Sequence, residues 1–250
     1  MNVYKEIAEK FKETLGLEYE PVGIYFGNEK PDDALSFKNK GNGCIAPLIF
    51  KAAKGKTVAV DKESTGFPCS AFYLGYKEWI FEGIENFLST GPFPGRECER
   101  LMDNPATARK YVETFIPETL REETLIFKPV ALEPDKIPEA VIFFVNPDQL
   151  SALTYLALND APSQQDRVVT QLASSCASIV YFPLKFAREG KQTAFWGLHD
   201  ISTRPSFPAD ILSFSLPADF FLKMGKMMDE SFLYTERWEK VLHRIKGKTD

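Results

Sequence analysis

The four cysteines of this 250-residue chain are the residues whose chemistry best suits a metal or a redox group. They are Cys44, Cys69, Cys98 and Cys176, and each is preceded within a few residues by glycine, proline or serine. Glycine lets the backbone approach a bound group closely, and proline sets the direction in which the chain leaves a turn. Thiolates in such turns suit a metal ion or an iron–sulfur cluster.

The spacing of the cysteines leaves two interpretations open. An iron–sulfur cluster takes soft thiolate ligands, usually four, and a fold can gather them from distant positions. The chain has no Cys-x-x-Cys pair, so the alternative is that the cysteines are small buried apolar side chains. The glycine and proline setting favours a cluster, of the 4Fe–4S type. Zinc ranks lower, because it commonly uses closely spaced pairs of ligands.

The number of ligands decides what such a cluster could do. If all four thiolates bind, the cluster is coordinatively closed, and electron transfer or a structural role follows. If only three of them bind, one iron is open and can act as a Lewis acid or hold a substrate. The role of the fourth cysteine therefore separates an electron carrier from a catalyst.

Two further residues are candidates for binding a substrate. His199 stands next to Asp200 and could activate a cysteine thiol for nucleophilic attack, or it could be a loop histidine bonded to the backbone. Arg204 precedes a proline, and its guanidinium could hold a carboxylate or phosphate of a substrate. A salt bridge from Arg204 to Asp200 or Asp210 is the alternative.

Composition narrows the class of protein. The chain is 44% hydrophobic and 26% charged, with a net charge of −5 and no basic stripe, so a nucleic-acid partner is not expected. No apolar stretch is long enough to span a membrane, and the first residues lack a signal core. We therefore expect a cytoplasmic protein in a reducing compartment, with free thiols rather than disulfides.

Hydrophobic periodicity predicts helices and strands that alternate along the chain, and hence a mixed α/β or α+β fold. The predicted strands cover residues 21–26, 57–60, 125–132, 140–145 and 193–196. The predicted helices cover residues 3–15, 46–53, 105–115 and 148–158, then a segment from about 164 to before 183, and a broken region over 217–246.

Two stretches of the chain resemble each other. The segment 20–26 is similar to 139–144, and each is followed by a cysteine near the start of a helix, Cys44 or Cys176, and then by a strand. This pattern predicts a diverged internal duplication, with chance similarity as the alternative. The lobes would be residues 1–132, with Cys44, Cys69 and Cys98, and residues 133–250, with Cys176. They would pack as one unit about a pseudo-two-fold axis, where ligands often bind.

The chain also resembles the uncharacterised prokaryotic "domain of unknown function 169" family. The similar segments are 17–26, the surroundings of Cys44 and Cys69, 104–109, the surroundings of Cys176, and 197–208 before 214–217. The resemblance implies a common fold and a shared cysteine site at Cys44, Cys69 and Cys176. Cys98 has no clear counterpart, so whether it binds would separate an electron carrier from a catalyst with an open iron. The family implies no named reaction.

These observations lead to one functional hypothesis and one alternative. The hypothesis is a cytoplasmic iron–sulfur protein whose 4Fe–4S cluster lies between two related α/β lobes and acts on a small-molecule substrate or a redox partner. The alternative is a cluster-free α/β module that binds a small ligand, with buried structural cysteines. The sequence leaves open the substrate, the oligomeric state and whether the protein is an enzyme.

Overall fold

The computed structural model describes residues 2–37, 43–95, 97–115, 121–133, 135–161 and 166–247. The strands in these residues are β1 (Val22–Gly27), β2 (Val58–Val60), β3 (Thr124–Pro129), β4 (Ala140–Val145), β5 (Val168–Val169), β6 (Ala194–Gly197) and β7 (Leu212–Pro217). The α-helices are α1 (Val3–Leu15), α2 (Ile45–Phe50), α3 (Pro68–Tyr73), α4 (Ile84–Leu88), α5 (Pro105–Glu113), α6 (Pro147–Leu158), α7 (Phe182–Arg188), α8 (Ala218–Met227) and α9 (Glu236–Ile245). The predicted mixed α/β fold is confirmed.

Local signals set the ends of the helices that the sequence predicted. The Asn2 side chain accepts the Tyr4 N–H and caps α1, which ends at Gly16 in the left-handed conformation. Asn104 caps α5 in the same way, and Pro105 occupies its first turn. These boundaries follow from residues close in sequence, which explains why they could be predicted.

The strands form one seven-stranded sheet in the order β2-β3-β1-β4-β7-β6-β5. β5 and β6 are parallel, whereas the other neighbouring strands are antiparallel. β1 and β4 lie side by side at the junction of the two predicted lobes, so both lobes contribute to the same sheet.

The strand order outward from this junction is the same on both sides. β1 is followed by β3 and β2, and β4 is followed by β7 and β6. The registers also correspond, because Val22 pairs with Pro129 and Ala140 pairs with Pro217. A duplication about a pseudo-two-fold axis requires this correspondence. The duplication itself, and the lobes 1–132 and 133–250, stay a prediction.

The sheet separates two hydrophobic cores. Successive strand side chains point to opposite faces, so Ile142 and Phe144 of β4 enter one core, and Phe143 and Val145 enter the other. Helices α1, α6, α8 and α9 pack in the second core. Helices α2, α3 and α7 pack in the first, which also contains Cys176. Among the described residues, no helix is both long enough and apolar enough to cross a membrane.

The prediction of one helix from about residue 164 to just before Pro183 is wrong. Its proposed start, Gln164, lies outside the described residues, and the following segment contains the short strand β5. A single π-helical turn, Ala177–Tyr181, then leads into α7, and Pro183 lies in the first turn of that helix. The Phe182 N–H still donates to the Ala177 carbonyl of the π turn, whereas Pro183 has no N–H to donate, and the Ser178 carbonyl accepts from the Ser215 hydroxyl instead.

Candidate functional site

Three of the four cysteines converge on one face of the sheet. Cys44 immediately precedes α2, Cys69 lies in the first turn of α3, and Cys176 immediately precedes the π turn. Cys176 is 3% exposed, whereas Cys44 and Cys69 are half-buried and pack against the same core. We refer to these three residues as the three-thiol site.

Hydrogen bonds and charge connect the three thiols. The side chains of Cys44 and Cys176 interact, and this interaction lowers the pKa of Cys44 and raises that of Cys176. The Ser70 Oγ lies 3.7 Å from the Cys176 Sγ, which brings α3 to the same place. Cys69, the neighbour of Ser70, interacts electrostatically with both other thiols. Thiols from three segments that are distant in sequence therefore meet.

Two glycines hold the Cys44 and Cys69 segments together. Gly43 and Gly66 both have positive φ, +92° and +77°. The Phe67 N–H donates to the Gly43 carbonyl at 3.0 Å, and a Cβ at Gly66 would lie 2.5 Å from that oxygen. A side chain cannot fit there, so the close approach of the two segments requires glycine. This is the physical reason for the glycines beside these cysteines in the sequence.

Small residues bring the Cys176 segment close to the sheet. The Ser178 carbonyl of the π turn accepts a hydrogen bond from the Ser215 hydroxyl on β7 at 2.5 Å. A Cβ at Gly197 on β6 would lie 2.3 Å from the Ser178 Cβ. The π turn, and with it Cys176, rests directly on the backbone of β6.

Asp200 is an acidic residue that connects to the three-thiol site through a hydrogen bond and through its charge. Its carboxylate accepts hydrogen bonds from the Ser175 N–H and the Ser202 N–H, each at 3.0 Å. Its negative charge acts on both Cys44 and Cys69. Asp200 thus ties the loop after β6 to the residue before Cys176.

Glu99 is a second carboxyl group at this site. Burial raises its pKa, and the charge of Asp200 adds to that rise, while a hydrogen bond from Ser202 opposes it. The Glu99 charge also acts on Cys69. No sequence pattern distinguished Glu99 from the other acidic residues, because its role depends on contacts with distant segments.

A pair of tyrosines extends the polar surroundings of Cys69. The side chains of Tyr73 on α3 and Tyr111 on α5 interact, and the Ser174 backbone interacts with Tyr111. Burial raises the pKa of Tyr111 to about 12 and also raises the pKa of Tyr73. Both hydroxyls therefore stay protonated and act as hydrogen-bond donors. The sequence analysis considered Tyr73 only as an aromatic residue.

The three thiols differ in acidity. The interaction with Cys176 lowers the pKa of Cys44, despite burial, and the Ala46 N–H adds to this effect. Burial, followed by the charge of Cys44, raises the pKa of Cys69 to about 12. The same interaction that acidifies Cys44 raises the pKa of Cys176, and burial raises it further. Cys44 is therefore the first of the three to ionise.

This order predicts how alkylation depends on pH in the metal-free protein. Because the thiolate is the reactive form, iodoacetamide should modify Cys44 at a pH below that of an ordinary thiol, and Cys69 only as the pH approaches about 12. Peptide mass spectrometry after timed labelling measures both rates. Cys176→Ala removes the interaction between the two side chains, so it should move the Cys44 curve to higher pH. Equal curves for Cys44 and Cys69 would contradict the assignment.

Cys98 has a different environment. Its thiol donates to the Gly91 carbonyl at 3.0 Å, and it takes no part in the interactions that connect the three-thiol site. The adjacent Glu99 instead reaches that site. The structure thus brings together the three cysteines that the resemblance singled out.

His199 and Arg204 make bonds within their own region. The His199 Nε2 lies 2.8 Å from the Gln171 carbonyl. This contact corresponds to the second interpretation of His199, a loop histidine bonded to the backbone. The Arg204 guanidinium donates to four backbone carbonyls, those of Leu198, Pro208, Ala209 and Ile211. These bonds to backbone carbonyls differ from both interpretations considered for Arg204, a contact with a substrate and a salt bridge to Asp200 or Asp210. The arginine holds the loop that carries Asp200.

The three-thiol site offers the soft sulfur donors that iron–sulfur clusters and zinc use. Within the part of the chain that the structure describes, however, no group of three or more histidine, cysteine, aspartate or glutamate residues is arranged to hold a metal ion. Loading a metal group must therefore move the sulfurs toward a common centre and remove the thiol protons.

A surface cleft of about 410 Å³ lies away from these residues. It is lined by Glu18, Tyr19, Glu20, Ala53, Lys54 and Gly55. All six belong to the first predicted lobe, so this cleft is not the inter-lobe ligand site of the alternative hypothesis.

The fold and the site together define a mixed α/β protein with three thiols gathered on one face of its sheet. The chain belongs to the DUF169 family, described as "Uncharacterised ArCR", whose model matches residues 10–226. This match confirms the resemblance seen in the sequence. The searches of curated proteins and of solved structures found no match.

Proposed function

We propose that the protein binds an iron–sulfur cluster, of the 4Fe–4S type, through Cys44, Cys69 and Cys176. The observation that supports this proposal is the convergence of these three thiols from three separate segments, while Cys98 bonds elsewhere. Thiolates are the usual ligands of such clusters, and the fold can gather them without a Cys-x-x-Cys motif.

Three protein ligands leave one iron without a thiolate from the chain. When bound, the cluster would supply electron transfer or a Lewis-acidic iron that can hold a small molecule. Asp200 and Glu99 add negative charge that opposes ionisation of the thiols, so the positive charge of the iron–sulfur core would have to offset it.

The proposed setting follows from the same chemistry. A protein with three free thiols at its proposed ligand site is expected in the reducing cytoplasm, where disulfides are disfavoured. Its partner is a small-molecule substrate or a redox protein, rather than nucleic acid, because the net charge is −5. The competing proposal is a cluster-free α/β module that binds a small ligand between its lobes and whose cysteines are buried structural residues.

Anaerobic reconstitution tests the cluster directly. The metal-free protein is incubated with ferrous iron, sulfide and a thiol reductant, then desalted and assayed for iron, acid-labile sulfide and visible absorption. We expect about four irons and four sulfides per chain, with an electron paramagnetic resonance signal on reduction. An added small thiol should alter that signal, since it can bind the open iron.

Two other results would contradict the proposal. A colourless, iron-free chain that stays folded after reconstitution supports the cluster-free module. Zinc at one equivalent per chain, without sulfide and not displaced by iron, identifies a zinc site instead. Circular dichroism before and after reconstitution separates both results from simple unfolding.

A further inference from the structure

We propose that a pocket between the end of α3 and the helix α7 binds the carboxylate group of a small molecule through the guanidinium groups of Arg121 and Arg188. Both arginines line this pocket, which no cysteine lines. Such binding goes beyond the proposed function, because it involves neither a thiol nor a metal group. We call this place the two-arginine pocket.

Three segments that are distant in sequence form the two-arginine pocket. Tyr73 and Gly75 come from the end of α3 and the residues after it, and Leu184 and Arg188 come from α7. Arg121 belongs to a third segment, and its backbone N–H donates to the Gly75 carbonyl at 2.7 Å. This bond fixes the start of the Arg121 side chain at the wall of the pocket.

The Arg121 guanidinium is held in place but is not saturated with hydrogen bonds. Its Nε donates to the Leu74 carbonyl at 3.2 Å, and its central carbon lies 4.3 Å from the centroid of the Phe26 ring. A guanidinium has five N–H donors, and these contacts use one of them. The two Nη groups donate to no atom in the part of the chain that the structure describes, so they are available to a ligand.

Neither arginine of the pocket forms an ion pair with a carboxylate among the described residues. Glu189, the acidic neighbour of Arg188, pairs with Lys191 at 2.7 Å instead. Arginines that do form ion pairs within the described ranges are Arg109, Arg167 and Arg244. Two positive groups therefore share one pocket without an acidic partner, although the net charge of the chain is −5.

The electrostatic environment of Arg121 also favours an anion in the pocket. Burial lowers the pKa of Arg121, and the positive charge of Arg188 lowers it further, whereas Tyr76, Glu123 and Glu139 oppose the shift. Both glutamates are exposed, so water screens their charges. A carboxylate between the two guanidiniums would offset the burial of one and the repulsion between both.

The size of the pocket selects the kind of anion. Its volume is about 20 Å³. One water molecule needs about 10–15 Å³ measured in this way, so the space holds one small group and the rest of a ligand extends into solvent. A flat carboxylate fits such a space better than a tetrahedral phosphate does. Guanidinium groups bind carboxylates through two parallel hydrogen bonds in one plane.

An NMR titration of the isotope-labelled full-length chain with acetate tests the pocket at constant ionic strength. We expect saturable shifts of the backbone amide signals of Gly75 and Arg121, with a dissociation constant on the order of 1 mM for so small a ligand. Arg188→Gln should weaken acetate binding by at least about tenfold, because it removes charge-assisted hydrogen bonds. Arg244→Gln removes the same charge from an exposed arginine paired with Asp148, and should bind acetate like the wild type.

Arg188 is exposed, so its replacement leaves the core intact, and the amide spectrum of each variant shows whether it is folded. Shifts that stay linear in acetate concentration would overturn the proposal, and so would equal affinities of Arg188→Gln and Arg244→Gln. Inorganic phosphate is titrated in the same way, and tighter binding of phosphate than of acetate would overturn the assignment to a carboxylate. No readout involves iron or sulfur, so this result and that of the cluster reconstitution can fail separately.

Discussion

Alanine at Cys44, Cys69 or Cys176 is expected to lower the iron retained after reconstitution by at least about tenfold, since even partners beyond the ligands change metal affinity by about that much. Each substitution removes one of the three proposed iron–thiolate bonds, and in the structure no other cysteine takes part in the interactions of the site. Iron and sulfide per chain, measured after desalting, give the result.

Cys98→Ala is the matched control for these variants. It removes a half-buried thiol that bonds to the Gly91 carbonyl, so iron content should equal that of the wild type. Thermal unfolding of every metal-free variant shows whether a loss of iron merely reflects a loss of folded protein. If Cys98→Ala loses as much iron as Cys44→Ala, then Cys98 is the fourth ligand and the cluster has no open iron.

Gly197→Ala is expected to destabilise the protein by about 1–3 kcal/mol, the usual cost of inserting a methyl group where there is no space. The new Cβ would lie 2.3 Å from the Ser178 Cβ and 2.5 Å from the Ser178 Oγ. The Ser178 Cβ is attached directly to the backbone and cannot rotate away, so the π turn must move off β6. Urea unfolding measures the change in the free energy of unfolding.

Gly27→Ala is the control, because Gly27 is also a strand glycine without a positive φ. Its new Cβ would lie 2.9 Å from the Ile126 Cδ1, the flexible end of a long side chain that can rotate. We expect a much smaller effect than at Gly197. Adding Ser178→Gly to Gly197→Ala should recover part of the lost stability, and equal effects of the two alanines would contradict this account.

Displacement of the π turn in Gly197→Ala should also affect the three-thiol site. Cys176 immediately precedes the π turn, so moving that turn changes the contact between Cys176 and Cys44. In Gly197→Ala, the alkylation curve of Cys44 should move to higher pH, because the interaction that acidifies it weakens. Gly27→Ala should leave that curve unchanged.

Much of the secondary structure could be predicted from neighbouring residues. The helical spacing of apolar residues and the stop at Gly16 predicted α1, and the continuous apolar run at 140–145 predicted β4, which is buried along its whole length. Pro105 after Asn104 predicted the start of α5. These features depend on periodicity and on caps, which act within a few residues.

The strand β7 was missed, and its position explains why. Ser213 and Ser215 alternate with apolar residues in it, which suggests an exposed face, yet both serines are fully buried. Small side chains are needed there because the π turn lies directly above, and the Ser215 hydroxyl satisfies the Ser178 carbonyl. The requirement for small side chains in β7 therefore comes from the π turn, which is distant in sequence.

The amino-acid sequence by itself determined which residues can act as soft ligands, and it marked the glycines that let their segments approach. It could not determine which cysteines meet, because that depends on the order of strands in the sheet and on which helices share a face. The tertiary structure joined Cys44, Cys69 and Cys176, directed Cys98 to Gly91, and brought Asp200 and Glu99 to the thiols. Contacts between distant segments form only when the whole sheet and its helices pack, so no local pattern carries them.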